Sequence, residues 1–354
     1  MSLKILPKEA VKEWTEHILM DYRLIAPQSV KDQFVFSEIN TPDQVVLEYG
    51  TTILPPKKVF LPTQEVLIQF NTGENLAEAV IEDFPTVIMG VHTCDLHAFR
   101  LLDAVFNQHH ADQHYFSRRE NTTLVSVECL KPCSEHSFCK DMGTLSIPEE
   151  FDVHLIDLGS TYAVFIGSED GRKLLDGVTC LLDPTSEDHN LINRVMSRKW
   201  SNFPYQLEAD ITELPSLMTY FFRSALWEEL GEKCLGCGSC NIVCPTCYCF
   251  DIQDQVDLAL TAGERIRVWD SCQLDQFACV AGGHDFRPKQ SNRLRHRFLR
   301  KYKYQSIAPG LVGCVGCGRC AEACLVNITP IAVLNQLFRR HSAARKIRQE
   351  ATIP

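Results

Sequence analysis

The sequence predicts an α+β protein. An N-terminal α/β domain spans residues 1–212, and a helical, ferredoxin-like domain with two iron–sulfur clusters spans 213–354. Three observations carry this reading. Short apolar runs rich in branched residues alternate with helical stretches in the first half. Two matched cysteine runs, flanked by helical periodicity, occupy the second half. The length, 354 residues, suits two domains at about 150 residues each.

Taken in order, residues 8–21 place Val11, Trp14, Ile18 and Leu19 on one face of a core-packing helix. VVLEY, KKVFLP, EVLIQF, TVIMGV, TLVSVE, VHLIDL and YAVFIG have the length and composition of strands. LHAFRLLDAVF at 96–106 reads as a helix among them, as an α/β arrangement requires. Residues 167–215 are rich in charge and turn formers and read as helices and loops. From about residue 216, MTYFFRSALWEELGEKC has helical spacing and leads into the first cysteine run. ITPIAVLNQLFRRHSAARKIRQE follows the second, with Ile331, Val333, Leu334 and Leu337 as its apolar face.

The runs themselves are CLGCGSCNIVCP, with Cys234, Cys237, Cys240 and Cys244, and CVGCGRCAEACL, with Cys314, Cys317, Cys320 and Cys324. Each is C-x2-C-x2-C-x3-C, the spacing that wraps a [4Fe–4S] cube. Three thiolates two residues apart reach three iron corners from one tight loop. Gly236, Gly238, Gly316 and Gly318 permit the positive φ angles such a loop needs. The fourth cysteine starts a helix and points away, so in two-cluster ferredoxins it serves the other cube. The expected sets are Cys234, Cys237, Cys240 and Cys324 for one cluster, and Cys314, Cys317, Cys320 and Cys244 for the other. Zinc sites usually present two separated ligand pairs, which makes zinc the poorer reading.

Composition narrows the function. No run of about 18 apolar residues exists, so no membrane span is expected. Charges fall where a signal peptide would place its apolar core, so the expected location is the cytoplasm. In a long chain without an export signal, 17 cysteines point to metal rather than disulfides. A net charge of −10 argues against nucleic acid as the main partner. The basic string RLRHRFLRKYKY is the exception, and is expected to offset negative clusters and line a partner interface.

Four further cysteines lie after apolar strands of the first domain: Cys94 in GVHTCDLHAF, and Cys129, Cys133 and Cys139 in ECLKPCSEHSFCKDMG. Neighbouring strand ends can bring all four to one sheet edge, where they could hold a third cube or rest as buried thiols. His97, His114 and His136 are possible substitute ligands, and Lys131, Arg118 and Arg119 possible counter-charges. Asp95 is expected to cap the helix that starts there. Cys247, Cys249, Cys272 and Cys279 lie between the two runs, and packing or hydrogen-bonding roles are favoured for the first three. Cys180 reads as a lone core thiol.

GVHTCDLHAF, HYFSRRE, CPTCYCFDI, WDSC with AGGHDFR and RLRHRF after it, and GCVGCGRCAEAC occur in this order. Over residues 60–335 the chain resembles an iron–sulfur subunit shared by two kinds of complex. One is the sulfhydrogenase-type, NAD(P)-linked nickel–iron hydrogenase, where it is the β subunit. The other is anaerobic sulfite reductase. The resemblance implies a non-catalytic electron relay. At one end would stand an FAD-containing NAD(P)H reductase-like subunit, and at the other a nickel–iron or sirohaem catalytic subunit. It also implies a third [4Fe–4S] cluster at Cys94, Cys129 and Cys139. The family places its remaining cysteine two residues before Cys139, where this chain has Ser137, so Cys133 becomes the expected fourth ligand. A stand-alone iron–sulfur carrier or sensor is the rival.

Overall fold

In the computed structural model the described residues are 2–148, 151–305 and 311–350, the side chains of 345–350 excepted. Its strands form two sheets. The larger draws on β1 (Ser2–Pro7), β2 (Arg23–Val30) and β3 (Gln33–Glu38). It continues through β6 (Thr86–His92), β7 (Thr122–Val127), β8 (Val153–Asp157) and β9 (Thr161–Ile166). Their order is β1-β9-β8-β7-β6-β2-β3, with β2, β6, β7 and β8 parallel and antiparallel strands at both edges. Every residue of β6 and β7 is buried, which is why both read as near-continuous apolar runs rather than as an alternation.

Helix α1 (Val11–Asp21) buries Trp14 and Ile18 on this sheet, as its spacing predicts. Helices α2 (Thr93–Phe106) and α3 (Gln113–Glu120) carry the chain from β6 to β7. The crossover leaves the carboxyl ends of these two parallel strands side by side, the edge where α/β sheets build their sites. Helices α4 (Glu169–Lys173) and α5 (Ser186–Asn202) follow the last strand of the sheet.

Two of the expected strands are absent. VVLEY is a loop whose Tyr49 fills the core, and KKVFLP contains the 3-10 turn Pro56–Val59. Pro55 and Pro56 there have no N–H to give a ladder. Among the strands that escape the apolar-run reading, β10 (Phe250–Val256) is polar and has all seven residues exposed, while β2 has only the short buried run Leu24–Pro27. With β11 (Ala262–Trp269), β4 (Gln64–Asn71) and β5 (Leu76–Ala79), β10 makes the second sheet, ordered β10-β11-β4-β5. Pairing of β11 with β4 therefore crosses the boundary drawn at residue 212. Buried charges reinforce the seam. Glu65 on β4 accepts from Arg118 and from Arg267 of β11, both at 2.6 Å, and Arg267 also binds Asp112.

The C-terminal part is helical: α6 (Leu214–Tyr220), α7 (Leu226–Lys233), α8 (Ser239–Ile242), α9 (Gln290–Leu299), α10 (Arg319–Glu322) and α11 (Pro330–Glu350). The long periodic stretch before the first cysteine run is broken at 221–225 into α6 and α7. Leu217, Met218, Trp227, Phe298, Val333, Leu334 and Leu337 form this core, and Phe138 and Met142 enter it from the loop after β7. No described helix is long and apolar enough to cross a membrane.

Candidate metal centres

The two cysteine runs adopt one backbone shape twice. Gly236 and Gly238 stand at φ 65° and 76°, Gly316 and Gly318 at 67° and 81°. A single helical turn follows each pair, α8 or α10, and the fourth cysteine comes just after it. At Gly316 a Cβ would lie 2.6 Å from Cys139 N and from the Phe138 carbonyl group. Glycine is thus required there by close approach as well as by φ.

The thiols of the two runs fall into two neighbourhoods. Cys234, Cys237, Cys240 and Cys324 line one cavity, walled by Leu294, Phe298 and Ile328. Cys314 and Cys317 both lie within charge range of Cys320 and of Cys244, the fourth cysteine of the other run. Donors are directed at the sulfurs. Tyr302 Oη–H donates to Cys314 (3.4 Å), Gln290 Nε2 to Cys234 (3.3 Å) and the Ile328 backbone N–H to Cys324 (3.2 Å).

Cations surround the thiols. The basic string faces inward on α9 and the turn after it: Arg293, Arg297 and Lys301 are buried. Burial opposes the charge of Arg297, but Cys240, Cys320 and Cys244 outweigh it and raise its pKa well above normal. Lys57 Nζ donates to the Cys244 and Cys247 carbonyls at 2.8 and 2.5 Å, and burial brings its pKa down to about 8.

The N-terminal cysteines assemble where β6 and β7 end. Cys129 Sγ lies within 4.8 Å of Cys133 Sγ, and Cys129 packs with Cys139 and lies within charge range of Cys94. Cys94 packs with Ala98 and Val315, beside Cys317 of the second run. The loop carrying Cys139 rests directly on that run. Phe138 N–H donates to Gly316 O (2.7 Å), and Thr144 Oγ1–H to Val315 O (2.6 Å).

The three histidines considered as substitutes are engaged elsewhere. His97 binds Ser146 O, His114 binds Leu67 O, and His136 lies beside Glu135. The histidine at the site is His92, the last residue of β6. Its Nδ1 lies 3.6 Å from Cys133 Sγ, and the ligand atoms of His92, Cys129 and Cys133 are all within 4.8 Å of one another. Tyr49 stacks on its ring at 4.2 Å. The available signal was its place two residues before Cys94, at a strand's end.

Of the expected counter-charges, Lys131 lines the cavity shared by His92, Cys129 and Cys133, and the two arginines lie elsewhere. Lys131 is an exposed partner of Glu48, Arg118 binds Glu65, and Arg119 binds Asp103. Lys199 is the buried cation here, donating to Glu128 at 2.7 Å and to Leu145 O at 2.8 Å. Asp95 is not a cap. His92 occupies the N-cap of α2 without a side-chain cap bond, and Asp95 holds Arg319 through two bonds of 2.7 and 2.8 Å. A buried guanidinium between the cysteine sites claims the carboxylate more strongly than free N–H groups do.

The donor chemistry fits iron–sulfur centres. Burial pushes Cys314 up to about 11, Cys139 up to about 12 and Cys94 well above normal. Such thiols release a proton only when a cation replaces it, which is what a metal does.

The family model of a 4Fe-4S dicluster domain matches residues 233–328. The chain is 35% identical over 316 residues to Sulfhydrogenase 2 subunit beta of Pyrococcus furiosus, an alignment covering 89% of this chain and 92% of that protein. The chain belongs to the sulfhydrogenase beta-subunit family. No solved structure matches it. As a member of that family with a dicluster domain, it is an iron–sulfur protein of electron transfer with two [4Fe–4S] clusters. The repeated loops over Cys234–Cys244 and Cys314–Cys324 lie within the matched segment.

Proposed function

We propose that this chain is the electron relay of a cytoplasmic hydrogenase complex, linking its nickel–iron catalytic subunit to an FAD-containing NAD(P)H reductase-like subunit. The relationship to a sulfhydrogenase subunit supports the choice of complex. The observation that carries the relay is unbroken contact between three cysteine sites. The first run meets the second where α8, which carries Cys240, packs against α10, which carries Cys320. The second meets the N-terminal site through Gly316, Val315 and Cys317.

In this reading Cys234, Cys237, Cys240 and Cys324 hold one cluster, and Cys314, Cys317, Cys320 and Cys244 the other. A third draws its ligands from Cys94, Cys129, Cys133 and Cys139, with His92 at hand. A bound [4Fe–4S] cluster accepts one electron at a time, which lets the chain connect a hydride carrier to another redox centre. The protein holds the sites together and tunes them. Tyr302, Gln290 and the Ile328 N–H stabilise negative sulfur, and Arg297, Lys301 and Arg319 offset its charge.

Anaerobic purification with the co-purifying chains identified by mass tests the partners: a flavoprotein and a nickel–iron protein are expected. A sirohaem protein instead would transfer the relay to a sulfite reductase, and recovery of the chain alone would refute the complex. Iron analysis is expected to give about 12 atoms per chain rather than about 8. The Cys320→Ser variant is expected to lose one C-terminal cluster and nicotinamide-linked turnover. Normal turnover in that variant would end the relay reading.

A further inference from the structure

The N-terminal site offers more donors than a cube takes. Cys94, Cys129, Cys133, Cys139 and His92 come together there, and a [4Fe–4S] cluster has four irons to ligate. Ser137, where the family pattern has a cysteine, adds nothing to the set: its Oγ accepts from the Ser134 N–H at 3.1 Å within its own loop. With Cys94, Cys129 and Cys139 on three irons, the fourth is left to Cys133 or His92.

These two are not independent. Cys133 Sγ and His92 Nδ1 stand 3.6 Å apart. A sulfur at about 2.3 Å and an imidazole nitrogen at about 2.0–2.1 Å from one tetrahedral metal stand about 3.6 Å apart. The pair is spaced to reach one iron, not two.

The fold fixes His92 in this position. It ends β6, where the strand gives way to α2, and is 5% exposed. Tyr49 stacks on its ring at 4.2 Å with 11° between the planes. Tyr49 is anchored in turn by donating its Oη–H to Gly90 O at 2.6 Å. Cys133 is less confined. It sits on the loop after β7, is half-buried, and borders a cavity of about 700 Å³ that Lys131, Glu48 and Asp157 also line. Cys94 and Cys139 are buried and do not line that cavity. The iron with two available donors is therefore on the cavity side of the site.

We propose that Cys133 and His92 are alternative ligands of one iron of the third cluster, so that the imidazole holds that iron when the thiolate leaves it. The proposal rests on the third cluster put forward above. In the exchange an iron–sulfur bond to Cys133 breaks and an iron–nitrogen bond to Nδ1 of the neutral His92 ring forms. The released thiolate takes a proton from solvent, and no electron changes hands. A neutral ligand replaces an anionic one, so the reduction potential rises, as it does where histidines replace cysteines at Rieske centres. One set of residues thus gives the relay two potentials at its N-terminal end.

The test compares wild type with Cys133→Ala, His92→Phe and the double variant, each purified anaerobically in the complex. His92→Phe keeps a ring against Tyr49 and removes the donor. Both single variants are expected to hold as much iron as wild type, and the double variant about four atoms fewer per complex. In Cys133→Ala the third cluster is expected to titrate at a more positive potential. It is also expected to show, in pulsed EPR, the nitrogen coupling of a bound imidazole, which His92→Phe should lack. Unchanged signals from the two C-terminal clusters report that each variant has folded, and Cys133→Val gives the same readings should alanine disturb the loop. Loss of four irons in Cys133→Ala and Cys133→Val, or none in the double variant, would overturn the proposal. So would a full cluster in Cys133→Ala without nitrogen coupling. Equal iron in wild type and Cys129→Ala would instead remove the third cluster itself, which separates the two failures.

Discussion

Arg319 occupies the middle of the second cysteine run, yet its charge is answered from the other end of the chain. Its guanidinium forks onto Asp95, and both side chains are almost wholly buried. Burial works against the charge of Arg319, while Asp95 and Cys317 raise its pKa well above normal. Arg319→Met leaves the Asp95 carboxylate buried without a partner. We expect a loss of about 3–5 kcal/mol in anaerobic denaturation, and a smaller loss when Asp95→Asn is added. Equal losses in the single and double variants would mean the pair is not coupled. Glu128 behaves differently. Burial raises its pKa, but His154 and Lys199 outweigh this and hold it below the usual 4.5. Its contribution to stability is present above the unfolded value and is lost as pH falls through the lower folded value. Glu128→Gln is therefore expected to flatten the acid limb of a stability–pH curve. The cysteines of the two C-terminal runs were legible at this scale because their spacing betrays them, whereas for Cys94, Cys129, Cys133 and Cys139 spacing left a cube and buried thiols both open. His92 and Lys199 were not legible, since a lone histidine and a lone lysine gain meaning only once strand ends and α5 converge on Cys129.

The loop over residues 134–144 is seated on the second cysteine run. Gly316→Ala would add a left-handed backbone penalty of about 1–2 kcal/mol and a Cβ at 2.6 Å from backbone atoms of this loop. The expected outcome is iron loss from the second run and from the N-terminal site together, with the first run spared. Selective loss at the second run alone would show that the loop does not couple them. Elements whose sequence matched their burial were readable: β6, β7, α1, α2 and α11. The hairpin β10–β11 was not, because charged and polar residues interrupt its apolar ones in FDIQDQV and AGERIRVW. KKVFLP misled because its apolar residues are buried in a turn that prolines keep out of a ladder.

At the scale of the molecule, the boundary at 212 followed composition, but strand pairing follows geometry. A fragment of residues 1–212 would retain β4 and β5 without β11, exposing the open edge of a two-stranded ribbon. It would also lack Arg267, the second cation on Glu65. We expect this fragment to aggregate, or to melt well below the full chain. A soluble fragment with full-chain thermal stability would show that the halves fold independently. The mixed class was visible from the alternation of apolar runs, helical stretches and cysteine runs. The shared sheet was invisible because it depends on residues some 200 positions apart.

The Phe138–Gly316 bond also has a bearing on how the protein is made. Synthesis runs from the N-terminus, and domains ordinarily fold as they emerge. Here the loop bearing Cys133 and Cys139 has its backbone partner, and part of its hydrophobic cover, in residues that leave the ribosome far later. The nascent chain thus exposes a set of cysteines before their enclosure exists. If those cysteines hold the proposed third cluster, its maturation has to wait for residues 314–318, and a transcript truncated before them would yield oxidisable thiols.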